Sequence, residues 1–477
     1  MTWVVIALIC GGCSLQAANR VAPDLPPAFE QATPAAAAAW PSRDWYRGFE
    51  SPELDALIAE ASANSFDLSA ARARVAQAEA RARRAHAQIL PSVDVDGTGN
   101  FLAGHSADGS AHETDWSVLL SASYEIDFWG KNRAAADAAR YLAVASRGER
   151  ATLVITTLAG VAAGYFAALG LHERIEIARA NVAAARRLFD VVAARFAAGA
   201  SNPVEVAAQR AALAAAELAI PDLERQRDEA LASLAVLLGR PPEGFHIAGG
   251  ALESLREPTV AAGLPAELLR RRPDIFTAEA NLESAGADLT AARAALFPSL
   301  SLTAAAGLQN PALNAAVTTL AGLGPTLDLG AAITRPIFDA GRLRAVRAEA
   351  EARQQELEAS YRNAILAALV DVENSLSALN HLNEAREFEA DNVAANERAF
   401  EGARLRYQAG QGDFLTVLEA ERSFDAARDQ SSQYKLARLM ALVGLCKALG
   451  GGWQASDVGV QPSEGQRADQ SGHAPPG

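Results

Sequence analysis

Side chains able to do chemistry are sparse in this sequence and rarely stand close together. Its seven histidines are dispersed, with no HExxH, no P-loop and no GxGxxG. The nearest approach to a metal site is His105, Asp108, His112, Glu113 and Asp115, potential ligands within one short polar stretch. Their irregular spacing reads instead as a solvated external loop. Gly104-His105-Ser106-Ala107-Asp108 brushes against a nucleophile elbow but lacks its final Gly and sits in a loop between two strand patterns. The sequence therefore implies no catalytic residue, no resident metal and no cofactor. A net charge of −14 argues against a nucleic-acid phosphate backbone as partner.

Sulfur chemistry is confined to three cysteines. Cys446, within Leu442-Val443-Gly444-Leu445-Cys446, reads as a small buried residue. Cys10 and Cys13 follow the apolar run Trp3 to Ile9, whose seven residues are too few to span a bilayer but suit the apolar core of a signal peptide. Small residues directly before Cys13 suit a lipoprotein cleavage site, which would make 1–12 the signal and Cys13 the acylated first residue. Two features depart from that pattern: the n-region has no Lys or Arg, and Cys10 stands where an aliphatic residue is usual. Ordinary secretion is the alternative. Ser14, rather than Asp, follows the cysteine and permits sorting to an outer membrane.

The remaining informative cluster is Arg406-Tyr407-Gln408-Ala409-Gly410-Gln411-Gly412-Asp413-Phe414, which interrupts a charged helical region. Gly410 and Gly412 allow a tight turn by reaching positive φ, and Asp413 can cap the helix that restarts at Phe414. An earlier copy, Arg195-Phe196-Ala197-Ala198-Gly199-Ala200-Ser201-Asn202-Pro203, lies at a constant offset of 211 residues. The chain thus contains two related halves, and each carries this turn between two helices.

The elements that hold these turns follow from periodicity. After an extended segment, 13–50, the first repeat covers 51–242 and the second 264–453, with an irregular linker at 243–263. Each reads helix, two strands, long helix, turn, helix. The tip turns fall at 199–203 and 410–413. Strands are expected at 92–101 and 116–128, with a polar loop 102–115 between them, and again at 299–308 and 326–335. In each strand apolar and polar residues alternate, as in Val93, Val95 and Phe101 against Asp94, Asp96 and Asn100. This suits an outer-membrane barrel, although a soluble hairpin with one buried face has the same alternation. The helix from Gly130 to Ala198 would extend roughly 100 Å at 1.5 Å per residue. Its uncharged stretch, Ala151 to His172, is not a membrane span: it carries three Thr and three Gly, and charge-rich helix continues on both sides. In the second long helix Ile365, Leu369, Val372, Leu376 and Leu379 follow the 4-3-4-3 spacing of a coiled-coil seam. The polar composition of 454–477 predicts disorder.

Four strands cannot close a membrane barrel, and long Ala-rich helices cannot bury their seams alone. Both arguments require a homo-oligomer around one axis. Two chains would give eight strands and three would give twelve, and the residues themselves do not choose.

At this point the sequence resembles the outer-membrane efflux duct family, in its lipoprotein branch serving resistance-nodulation-division pumps. The resemblance is carried by Cys13, Leu90-Pro91-Ser92, Tyr124-Glu125-Ile126-Asp127-Phe128-Trp129-Gly130, Arg271-Arg272-Pro273-Asp274-Ile275, Phe297-Pro298-Ser299-Leu300, Phe338-Asp339-Ala340-Gly341-Arg342, the turn 406–419, and Lys447-Ala448-Leu449-Gly450-Gly451-Gly452-Trp453. It implies a mixed α+β, mainly helical fold. A homotrimer would form a twelve-stranded outer-membrane barrel, four strands per chain, continued by a twelve-helix periplasmic α-barrel. The implied role is a passive exit duct, docked by a periplasmic adaptor and an inner-membrane pump, with outer-membrane lipid around the barrel. The implied periplasmic gate is built from the paired turns. Glu419 takes the position of an acid lining the constriction, where three copies would make a ring that draws cations. Tyr407 takes the position of a tyrosine linked to an acid in the first turn, and Glu205 takes that acid's position. Gly412 and Thr416 depart from the pattern, which implies a weaker or differently built lock.

Two other readings fit the elements less well. One is an exit duct for type I protein secretion. The other is a non-conducting coiled-coil scaffold of the envelope, which would have no use for duplicated strand pairs. Substrate identity is not legible.

Overall fold

In a computed structural model the described residues are 25–32, 40–106, 109–310 and 324–458. The segment 1–12 expected as a signal, Cys13, Ala107, Asp108 and the tail beyond 458 lie outside them. The elements run α1 (Pro52–Asn64), α2 (Phe66–Ala87), β1 (Ser92–Ser106), β2 (Gly109–Ile126), α3 (Lys131–Ala197), α4 (Pro203–Leu237), α5 (Pro265–Arg271), α6 (Pro273–Ala294), β3 (Ser299–Asn310), β4 (Gly324–Thr334), α7 (Arg342–Gln408) and α8 (Phe414–Ala448). The helices match in length: α3 and α7 each have 67 residues, α4 and α8 each have 35.

Two differences from the sequence-based expectation have simple causes. The first concerns 102–115, expected as a loop. There β1 continues to Ser106 and β2 begins at Gly109, with Leu102 opposite Glu113, Ala103 opposite His112 and His105 opposite Ser110. A strand ladder is made by backbone groups, so polar side chains lengthen a hairpin as well as apolar ones do. The second concerns the helices before each strand pair, which are broken at Ser65 (φ −57°, ψ 124°) and at the extended Arg272 (φ −110°, ψ 121°). At Arg272 the cause is Pro273, which disfavours helical geometry in the residue before it.

The chain divides into two compact units. One comprises 74–146 and 277–362 and holds the sheet. Its four strands are antiparallel in the order β1-β2-β3-β4. The register places Val95, Leu120, Ala306 and Leu327 in one row and Ile126, Leu300 and Ile333 in another, so the apolar sets of all strands share a face. That face is bare: Val95 is 72% exposed, Leu329 76% and Ile333 75%. On the other face Ser92 bonds Ser123 and Thr98 bonds Ser117, each at 2.8 Å, and Ser121 donates to Asp96. An apolar sheet face of this extent is the signature of a surface made for lipid. At the ends of β2 and β4 one aspartate launches each long helix. Asp127 accepts from Asn132 N and Arg133 N at 3.1 and 2.8 Å, and Asp339 from Gly341 N and Leu343 N at 3.0 Å each. These backbone donors satisfy orphan helix N–H groups. They outweigh the burial that opposes ionisation of Asp127 and hold its carboxyl below the usual range.

The other unit comprises 23–73, 147–276 and 363–477. Its core gathers Phe49, Leu54, Ile58, Val161, Tyr165, Phe166, Leu169, Leu234, Leu238 and Cys446. The uncharged stretch of α3 is thus spent on this core, in line with its reading as no membrane span. Burial pushes the Cys446 thiol up to about 12, as expected of an inert interior residue. Lys435 and Arg438 of α8 hold the linker through Glu253 (2.5 Å) and Glu257 (3.1 Å). At the end of α8, Gly450, Gly451 and Gly452 have φ of 88°, 53° and 77°. A Cβ on Gly452 would lie 2.2 Å from the Ser42 carbonyl carbon, so only glycine admits the N-terminal strap there. That strap is anchored beside the turn by Trp40 Nε1, which donates to the Leu449 carbonyl at 3.1 Å.

Candidate functional site: the paired tip turns

Both turns end a helix by one backbone device. In the first, Gly199 N bonds Phe196 O at 2.9 Å and Ala200 N bonds Arg195 O at 2.8 Å; in the second, Gly410 N bonds Tyr407 O at 3.0 Å and Gln411 N bonds Arg406 O at 2.8 Å. These bonds satisfy the last carbonyls of α3 and α7 and require a left-handed residue, supplied by Gly199 (φ 73°) and Gly410 (φ 74°). Gly412 does not share that geometry, contrary to expectation. Its role is space: an added Cβ would meet Arg406 Cβ and Tyr407 N at 3.3 Å, so the absence of a side chain lets the loop fold back against α7.

Each following helix is capped by a side chain. Asn202 accepts from Glu205 N at 3.0 Å, and Asp413 accepts from Thr416 N at 2.9 Å. Thr416 Oγ1 also donates to Asp413 at 2.7 Å, so the residue that departs from the family pattern completes the cap. The Thr416 hydroxyl and amide hold the Asp413 carboxyl below its usual value.

The structure joins Tyr407 to Glu205, as the resemblance implies. The tyrosine hydroxyl donates to Glu205 Oε2 at 3.2 Å. Ser201 Oγ (2.6 Å) and Asn202 Nδ2 (2.9 Å) donate to the same carboxylate. Arg195, which sequence reasoning noted only as a repeat marker, completes the link: it donates to the Tyr407 carbonyl at 2.7 Å and its guanidinium lies 4.5 Å from the ring centroid. Burial first, and the Glu205 charge second, raise the Tyr407 pKa, while Arg195 opposes. The phenol therefore stays a donor at any physiological pH. Beneath it Leu188, Val192, Phe400, Phe414, Val417 and Leu418 form a small apolar core. Glu419 faces solvent beside this core, apart from the Tyr407–Glu205 link.

Two carboxylates were missed. Glu421 is buried and Asp425 half-buried, with Gln209 of α4 alongside. The available signal was spacing: Phe414, Val417, Leu418, Glu421 and Asp425 share one helical stripe, so the carboxylates occupy inward positions. The side chains of His105, Asp108, His112, Glu113 and Asp115 lie outside those the structure describes.

A bare apolar sheet face, in a chain whose long paired helices end in linked turns, is the arrangement expected of an outer-membrane channel component. The model of the family described as outer membrane efflux protein matches residues 57–240 and 264–451, and the chain belongs to that family. It is 44% identical over 427 residues to the pyoverdine export outer membrane protein OpmQ of Pseudomonas aeruginosa, covering 88% of this chain and 89% of that one. It is 30% identical over 459 residues to the cation efflux system protein CusC of Escherichia coli, covering 94% and 98%. Among solved structures, the outer-membrane channel OprN superposes with a TM-score of 0.83 at 26% identity, covering 91% of this chain and 100% of the other. The protein is accordingly the outer-membrane component of a tripartite efflux system, acting with a periplasmic adaptor and an inner-membrane pump.

Proposed function

We propose that three copies assemble around one axis into a twelve-stranded barrel continued by twelve helices. In this reading the paired turns form a gate at the periplasmic end. The observation that carries it is the open four-stranded sheet, whose bare apolar face is paired with two unclosed edges, β1 and β4. Lipid tolerates no open edge, so β1 of one copy pairs with β4 of the next. The Tyr407–Glu205 bond supports the gate, because it ties the end of α7 to the start of α4 and resists their separation. Glu419 would form a ring of three exposed carboxylates that favours cations. Lipidation of Cys13 would add an outer-membrane anchor, and the inner-membrane partner would be a resistance-nodulation-division pump. The identity to OpmQ supports a cargo of pyoverdine's kind.

Planar-bilayer recording tests the gate. Glu419→Ala is expected to change cation preference or closed-state leak while the heat-modifiable oligomer on gels stays intact. Unchanged selectivity and leak would remove Glu419 from the gate, and an oligomer that never conducts, even with Glu419 and Tyr407 substituted, would sink the channel reading. Crosslinking followed by purification identifies the adaptor and pump. Retention of the metabolite by cells lacking the protein tests the cargo.

A further inference from the structure

Glu421 has no part in the link just described, yet it is the most deeply buried carboxylate near it. It is 4% exposed within its own chain, and neither carboxylate oxygen has a hydrogen-bond partner. Gln209 of α4 is wholly buried beside it. Its Nε2 donates to the Ala185 carbonyl of α3 at 3.2 Å, which fixes the orientation of the amide, and its Oε1 is also unpartnered. These three enclosed acceptors lack a donor at hydrogen-bond geometry, and the second N–H of Gln209 Nε2 is the one nearby donor that favours the charged carboxylate. An ionised Glu421 leaves all of them unsatisfied and adds an unpaired buried charge. One proton on Glu421 removes the charge and turns an acceptor into a donor.

The surrounding charges do not replace that proton. Asp425 and Arg422, both on α8, are the charged groups whose fields act on Glu421, and they oppose each other. Arg428 offsets Asp425, donates to Asn181 of α3 at 3.2 Å and lies over the Phe424 ring. Arg186 of α3 and Glu217 of α4 pair with each other, as do Arg404 and Glu401 on α7. Arg187 and Asp190 of α3 and Arg210 of α4 stand in solvent.

We infer that Glu421 is a proton-binding site of the tip: as a neutral acid it holds α8 against α4, and its ionisation beside Asp425 loosens that contact. The proton passes to water, leaving two carboxylates one turn apart on an inward stripe. The link to gating rests on the tip-gate reading above; the protonation itself does not. Burial first, and Asp425 one turn along α8 second, push the Glu421 carboxyl up from 4.5 to about 7 against the Gln209 amide and Arg422, and burial pushes Asp425 up to about 6. Because the closed-state value is raised, closed-state stabilisation is full below 4.5 and is lost as pH rises through about 7. Across that window the closed-to-open ratio should fall by up to roughly a hundredfold.

The test compares the full-length oligomer with Glu421→Gln, Asp425→Asn and Tyr407→Phe in planar bilayers from about pH 5 to pH 8. Wild-type opening should rise with pH, Glu421→Gln should stay more closed and keep only the shallower dependence that Asp425 contributes, and Asp425→Asn should shift the midpoint toward acid by removing a like charge. Tyr407→Phe should open more at every pH and keep the slope. A wild type without a slope, the full wild-type slope retained in Glu421→Gln, or an unmoved midpoint in Asp425→Asn overturns the proposal. An unaltered Tyr407→Phe channel would count against the gate reading alone. Infrared difference spectra between wild type and Glu421→Gln then decide the protonation directly: a carboxylic-acid band titrating near neutrality supports it, and no such band overturns it.

Discussion

At the two tip turns, Ala200 N reaches Arg195 O and Gln411 N reaches Arg406 O, both at 2.8 Å, around glycines whose φ values differ by one degree. On that shared backbone the side chains have taken opposite parts. Phe196 is 45% exposed, whereas Tyr407, its counterpart at the offset of 211, is 3% exposed and bonded to Glu205. Glu205 in turn has Thr416 as its counterpart, and Glu421 has the solvent-facing Arg210. The two chain reversals share their backbone bonds, and a few differing side chains make them partners. A link between equal turns would need equal residues; this one needs a donor on one and an acceptor on the other.

The sharpest way to break this comparison is to truncate the two counterpart aromatics. Tyr407→Ala should cost about 3 kcal/mol of local stability, as for other buried aromatics, and Phe196→Ala under about 1 kcal/mol. Amide hydrogen exchange over the last turns of α7 and α3 reads both, and similar losses would show that the asymmetry is not energetic. Next come the glycines. A Cβ at Gly199 or Gly410 meets nothing within 4 Å, so alanine there should cost only the left-handed penalty, roughly 1–2 kcal/mol, and equally in both. Unequal costs in thermal unfolding would mean that the backbones are not equivalent. The smallest effect separates the caps. Asn202→Ala should cost about 1 kcal/mol at any pH. The Asp413 cap, whose carboxyl is held low, should be fully present above pH 3.8 and lost as pH falls through the lowered value. Exchange at the Thr416 amide should therefore gain an acid-dependent opening that the Glu205 amide lacks.

Helix positions were legible because an apolar seam at 3.6 spacing and a Gly-Asx break are local signals. The long helices begin and end within a residue or two of where the sequence places them. The hairpin's outer half was not legible: at His105 to Glu113 polarity suggested loop, while pairing was decided by backbone groups that carry no sequence signature. At Gly412 the residue type pointed to torsion, but the constraint is contact with Arg406 and Tyr407, which requires the folded turn to be known. Glu421 was hidden for a related reason. On a helix this rich in charge one more carboxylate looks like surface, and the one local clue is its place on the stripe of Phe414, Val417 and Leu418.

The three glycines after α8 carry a consequence for biogenesis. Trp40 and Leu449, whose bond is made beside them, are 409 residues apart in sequence. That contact cannot form until the chain has emerged almost entirely, and closing so long a segment is slow compared with local helix formation. The strap therefore seals this unit last.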